Sequence, residues 1–167
     1  KKILRIKHGK IHVGVTDLVM DPRDPNVLYA TSYQRIRRPW GFSGAGPKSG
    51  IYKTVDGGKN WKKLSGGLPS GLLGKIGLAI FPRNPDILYA IIEDANSPEM
   101  SYEERWIEIQ NGKPSSKPIV GNIVYRTDDA GLSWRQASEG NVGGRPNYYG
   151  QIIVDPNDDK VVYVLSE

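Results

Sequence analysis

Apolar and polar positions along the chain alternate between short strand-like runs and Pro- or Asp-rich turns, and the alternation repeats. Val15-Thr16-Asp17-Leu18-Val19-Met20 leads through Asp21-Pro22-Arg23-Asp24-Pro25-Asn26 to Val27-Leu28-Tyr29-Ala30. Ile76-Gly77-Leu78-Ala79-Ile80 leads in the same way through Phe81-Pro82-Arg83-Asn84-Pro85-Asp86 to Ile87-Leu88-Tyr89-Ala90. A third copy runs from Gln151-Ile152-Ile153-Val154 through residues 155–160 to Val161-Val162-Tyr163-Val164. β-Branched and aromatic runs bounded by Pro, Asn, Asp and Gly are strand signals, and the spacing of the copies allows four strands in each.

A second pattern, Thr-x-Asp-x-Gly-x-x-Trp, occurs once in each of the first two copies. It is Thr54, Asp56, Gly58 and Trp61, then Thr127, Asp129, Gly131 and Trp134. In such a turn the carboxylate accepts backbone N–H bonds, Gly takes a positive φ and the Trp packs back on the sheet, which accounts for the residues as structural. The expected fold is all-β: a β-propeller fragment of four-stranded antiparallel blades. Its strands are expected near 14–20, 27–33, 50–54 and 60–64, then 76–80, 87–92, 121–126 and 133–137. The division is residues 1–10 as the outer strand of a preceding blade, 11–66 and 67–138 as two blades, and 139–167 as the first half of a third. The expected partners are therefore the remaining blades of the same propeller, which protect strand edges.

The strand 1–2 and strand 3–4 turns of a blade share one rim. The long, non-repeating segments 34–49, 67–75, 93–120 and 138–148 fall on the other, where loops on a rigid scaffold carry binding sites. Tyr33, Arg35, Arg37, Arg38 and Trp40, with Tyr148 and Tyr149, are the candidate ligand-binding residues: aromatic faces stack on sugars or peptide side chains, and Arg forks bind carboxylates. Insert 93–120 is acidic in its first half, with Glu93, Asp94, Glu99, Glu103, Glu104 and Glu108, and its carboxylates are expected to neutralise the Arg-rich loop. Ser101 and Glu104 have capping-box spacing, so a short helix with Tyr102, Trp106 and Ile109 on one face is expected there.

Asp17 is the single weak catalytic candidate, an isolated carboxylate in an inner-strand run where the other copies carry Gly77 and Gln151. His8 and His12 have helical ligand spacing, but Gly9 lies between them where a zinc-protease motif needs Glu, and no metal site or cofactor is expected. The 167 residues include no Cys, and the net charge of +5 is not gathered into a nucleic-acid-binding motif, so nucleic acid is not an expected partner. No window is long and apolar enough for a membrane helix, and no membrane contact is expected.

These residues resemble the BNR/Asp-box repeat propellers, and most closely the VPS10-like (sortilin-type), glycosyl-hydrolase-labelled repeat proteins of bacteria and archaea. The resemblance extends over Thr16–Pro22, Asn26–Ala30, Tyr33-Gln34-Arg35, Gly50–Lys53 running into the first Asp box, and Tyr148-Tyr149. It implies an exported protein, extracellular or periplasmic, that serves as a scaffold for glycan or peptide binding. Similar propellers also include sialidases and xyloglucan-cleaving enzymes. A sialidase would imply an arginine triad spread over several blades, whereas Arg35, Arg37 and Arg38 crowd one loop. A xyloglucanase would imply carboxylates from two facing propellers, so no complete catalytic site is expected within this chain.

Overall fold

The computed structural model describes residues 13–144 and 147–165. The expectation for residues 1–10 lies outside these, as do His8 and His12. The first sheet joins β1 (Val13–Met20), β2 (Leu28–Gln34), β5 (Gly50–Thr54) and β6 (Lys62–Lys63), with the hairpin β3 (Ile36–Arg38) and β4 (Gly41–Ser43) carried between β2 and β5. The second sheet joins β7 (Leu73–Ile80), β8 (Leu88–Asp94), β9 (Gly121–Thr127) and β10 (Arg135–Gln136), with helix α1 (Tyr102–Gln110) between β8 and β9. β11 (Gln151–Val154) and β12 (Val162–Leu165) form a separate two-stranded unit, and every pairing is antiparallel.

Repetition in sequence becomes repetition in hydrogen bonds. Each Pro turn closes with the same backbone bond: Asp21 N to Val27 O at 3.0 Å, Phe81 N to Ile87 O at 3.0 Å, and Asp155 N to Val161 O at 2.9 Å. The Pro residues restrict the turn to the geometry that lets flanking apolar runs pair directly. In both Asp turns the Thr hydroxyl donates to the carboxylate, at 2.8 Å for Thr54–Asp56 and 2.7 Å for Thr127–Asp129. The same hydroxyl accepts Gly58 N and Gly131 N, each at 3.0 Å, where φ is 86° and 87°. The donors surrounding the carboxylates, led by Asn60 and Ser133, hold Asp56 and Asp129 down at about 2.

Blades one and two pack face to face over Tyr29, Ile76, Leu88, Ile92 and Ile123, while Phe81, Tyr89, Ile91 and Val124 of the second blade pack on Ile152 and Val154. The second sheet is therefore covered on both faces, and β9 is buried at every position. At one rim the Pro and Asp turns meet, with Gly57 N donating to Asn26 O at 3.0 Å and Ala130 N to Asp86 O at 2.8 Å.

Three details differ from the sequence expectation. Trp61 and Trp134 are not equivalently packed: Trp134 is 6% exposed, its backbone N–H bonded to Gly66 O at 2.7 Å, because the first blade covers it. Trp61 is half-buried, with its indole N–H bonded to Gly58 O at 3.2 Å. Helix α1 forms with the Ser101/Glu104 capping box complete, but its inward face is Arg105 and Ile109 with Trp106 beside them, and Tyr102 is exposed. Nor do the helix carboxylates neutralise the Arg-rich loop, since among the described residues no ion pair joins them to Arg35, Arg37 or Arg38; Glu108 pairs with Arg105 of its own helix at 3.1 Å. A partner three residues away on the same helix costs less ordering than a reach to another loop.

Candidate functional site

On the rim opposite the Asp turns, the β3–β4 hairpin stands against α1 and the turn after it. Gly41 and Gly112 make the close approach possible: a Cβ on Gly112, where φ is 70°, would lie 2.9 Å from the Gly41 Cα. Ser43 locks the contact by donating its hydroxyl to Ile109 O, and accepts from Arg38 Nη1 at 2.9 Å. The guanidinium carbons of Arg35 and Arg37 lie over the Phe42 ring, 5.2 Å and 5.9 Å from its centre. Both cations are thus held by the electron-rich π-system of the ring. Trp40, at the hairpin tip, is 77% exposed.

Behind the hairpin lies a cleft of about 310 Å³ walled by Phe42, Gly44, Glu93, Arg105, Ile109 and Lys113, among others. Glu93 is the chemically informative group. Burial pushes its carboxyl up to about 7, against the opposing pull of the Lys75 N–H bond and the charges of Arg105 and Lys75. Its Oε2 accepts Lys75 N at 3.0 Å, in a space left by Gly74, where a Cβ would fall 2.0 Å from that oxygen. Arg105 is buried, its Nε donating to Ala95 O at 3.0 Å and its Nη1 to Glu108. Tyr33 is 5% exposed, and among the described residues its hydroxyl has no hydrogen-bond partner. Burial first, then the charge of Glu93, raises the Tyr33 phenol well above the ordinary tyrosine range.

The predicted residues therefore separate. Arg35, Arg37, Arg38 and Trp40 share the hairpin, while Tyr33 lies buried behind it. Tyr148 and Tyr149 are exposed elsewhere, and Tyr148 lines a second cleft of about 310 Å³ with Asp17, Lys75 and Gly150. Lys75 borders both regions, since its backbone holds Glu93 and its ammonium group donates to Tyr148 O at 3.4 Å. The Asp17 carboxylate sits at a bulge in β1 and accepts Leu18 N and Leu78 N, each at 2.8 Å, so it ties the inner strands of adjacent blades. Glu93 escaped the sequence reading because it stood among six acidic residues of one insert. Its neighbour Gly74 was the available signal, as a glycine opposite a carboxylate in paired strands leaves room for it.

Radiating four-stranded antiparallel sheets, stacked face to face through their flat surfaces, are β-propeller blades. No protein-family model matches the chain, and no curated protein matches it. Among solved structures it is similar to the GH74 xyloglucanase from Xanthomonas campestris, with a TM-score of 0.57 and 15% identity over 92% of this chain. The chain spans 20% of that enzyme's length, and at this identity the likeness shows the propeller fold. The GH74 enzyme of Niastella koreensis also matches over 92% of the chain at 15% identity, covering 28% of that enzyme, with a TM-score of 0.35. Among the described residues no helix is long and apolar enough to cross a membrane, and no group of three or more acidic, His or Cys side chains is placed to hold a metal ion.

Proposed function

We propose that this chain is a run of Asp-box (BNR-type) blades from a larger exported propeller of the VPS10-like kind, and that its rim opposite the Asp turns holds a glycan or a peptide. The observation that carries the reading is the β3–β4 hairpin: an exposed Trp40 beside the Arg35–Phe42–Arg37 stack, fixed to α1 by Ser43. A rigid hairpin presents these groups with little ordering left to lose on binding. A neutral glycan would stack on Trp40 and bind nearly independently of salt. An acidic peptide would use the Arg forks and weaken as salt rises, because exposed charge contacts are screened. The test is a glycan and peptide binding screen on the full-length protein, followed by Trp40→Ala and Arg37→Ala. Loss of about tenfold or more in affinity in either variant supports the reading; unchanged binding in both, with the fold intact, assigns the hairpin a structural role.

A second reading, part of a xyloglucanase-like or sialidase-like catalytic propeller, is favoured by Glu93. A carboxyl that keeps its proton to about pH 7 is suited to protonate a leaving group. Of the two, a xyloglucanase-like mechanism needs a second carboxylate roughly 5–9.5 Å away across the substrate. Asp17 is poorly disposed to be one, with its oxygens engaged by main-chain N–H groups of two blades. Hydrolysis of xyloglucan or a sialoside that disappears in Glu93→Gln would establish this reading, and hydrolysis unaffected by that change would remove Glu93 from it.

A further inference from the structure

Behind the β3–β4 hairpin, the two segments that interrupt the repeat close on each other around the cleft of about 310 Å³. Phe42 and Gly44 come from the connection between β2 and β5, Arg105, Lys113 and Ile119 from the insert between β8 and β9, and Glu93 from β8 itself. Three polar side chains on its walls have bonding capacity left over. Arg105 is buried and fixed by Nε on Ala95 O at 3.0 Å and Nη1 on Glu108 at 3.1 Å, and among the described residues nothing accepts from its Nη2. Glu93 accepts Lys75 N through Oε2, and among the same residues no donor reaches Oε1. Lys113 is exposed and joins no ion pair among them.

The unused groups are the donors of two cations and one carboxyl oxygen, set around apolar surface from Phe42, Ile109 and Ile119. A ligand carboxylate answers the cations, since Arg and Lys N–H groups form charge-assisted bonds to it. A plain alkanoate would leave Glu93 Oε1 unmatched in a largely desolvated position, which costs free energy. A hydroxyl beside the ligand carboxylate removes that cost, because it can donate to a carboxylate or accept from a carboxylic acid. The apolar wall takes the C–H face of a ring. Ligand sites span roughly 300–1,000 Å³, so a cleft of this volume suits one six-membered ring and not a run of peptide. Burial contributes as well: the Glu93 carboxyl, raised to about 7, is largely uncharged in mildly acidic solution and does not repel an anion there.

We propose that the cleft between the β3–β4 hairpin and α1 is a subsite for one hexuronic acid residue of a glycan, with the sugar carboxylate on Arg105 Nη2 and Lys113, a ring hydroxyl on Glu93 Oε1, and the C–H face of the ring against Ile109 and Ile119. This rests on the glycan reading of the rim and gives it a chemical class, an acidic polysaccharide. A sugar acid and a simple organic acid share the carboxylate, and the hydroxyl contact to Glu93 separates them. The charged groups facing Glu93 are Lys75 from β7 and Arg105 from α1, with the Tyr33 phenol of β2 in its field and kept neutral by burial. Ionisation of Glu93 as pH rises through about 7 places a negative charge beside the ligand carboxylate, so uronate affinity falls.

The test is an NMR titration of the full-length protein with sodium D-glucuronate, D-glucose and sodium cyclohexanecarboxylate at pH 6. Glucuronate is expected to bind about tenfold or more tightly than either control, since glucose lacks the carboxylate and cyclohexanecarboxylate lacks the hydroxyls. Lys113→Glu is expected to weaken glucuronate binding about tenfold, and Arg105→Lys, which keeps the charge but loses the planar fork, about threefold or more. Raising the pH to 8 is expected to weaken binding about threefold or more, and Glu93→Gln, which keeps an uncharged polar group, to remove that dependence. Equal binding of glucose, or no saturable binding of glucuronate, overturns the proposal. Equal binding of cyclohexanecarboxylate overturns it in favour of a small organic acid. Unchanged affinity in either cation variant with native shift dispersion, or a pH dependence that persists in Glu93→Gln, overturns it too. The probe is one ring and reads the cleft alone: a glycan that binds through Trp40 with no response to Lys113→Glu sinks the subsite and leaves the hairpin reading standing.

Discussion

Glu93 shows how one side chain sets a pH response. Its folded carboxyl is raised from 4.5 to about 7, so its stability contribution is fully present below pH 4.5 and is lost as pH rises through about 7. A shift of this size corresponds to about 3 kcal/mol. Urea unfolding at pH 5 and pH 8 is expected to show that loss, and Glu93→Gln to abolish most of it; an unchanged pH profile in the variant would place the titrating group elsewhere. Asp56 and Asp129 act in the opposite direction. Their lowered carboxyls contribute stability present above pH 3.8 and lost as pH falls toward 2.

The same element can matter differently according to what lies next to it. Trp134 and Trp61 occupy the same place in the repeat, yet only Trp134 is closed in by the first blade. Trp134→Ala is expected to cost about 3–5 kcal/mol through the cavity it leaves, and Trp61→Ala clearly less, as measured by chemical denaturation. For helix α1, Ser101 accepts Glu104 N at 3.2 Å while Glu104 accepts Ser101 N at 2.9 Å. Removing the cap with Ser101→Ala is expected to cost about 1 kcal/mol and to speed exchange at the first turn of α1, leaving the sheets unaffected.

Across the molecule, protection should follow the number of covered faces. β8 and β9 lie between two layers, whereas β1 is largely exposed and β12 alternates between half-buried and exposed. Native-state hydrogen exchange is expected to be slowest in β8 and β9 and fastest in β1 and β12. An order led by β1 would mean that blade stacking is not what stabilises the described sheets. The ion pairs along the Pro-turn rim follow the same stacking: Arg23 bonds Asp21 at 2.8 Å within its own Pro turn and Asp86 at 2.6 Å in the next.

Strands, Pro turns, Asp turns and the α1 cap were legible in sequence because each is specified by neighbours within a few residues. Periodicity, fixed φ at Pro and short side-chain reach decide them before any tertiary contact forms. The β3–β4 hairpin was not legible, since Arg35, Arg37 and Arg38 read as a charged loop until the guanidinium groups of two of them settle over Phe42. Nor was the cleft, whose Phe42, Glu93 and Arg105 come from a hairpin of the first blade, a strand of the second and an insert, and meet only through stacking. Sequence alone determined which segments repeat and how each closes on itself. Tertiary structure decided which carboxyl loses its water and which Trp is enclosed, because desolvation and burial depend on groups brought together from distant parts of the chain.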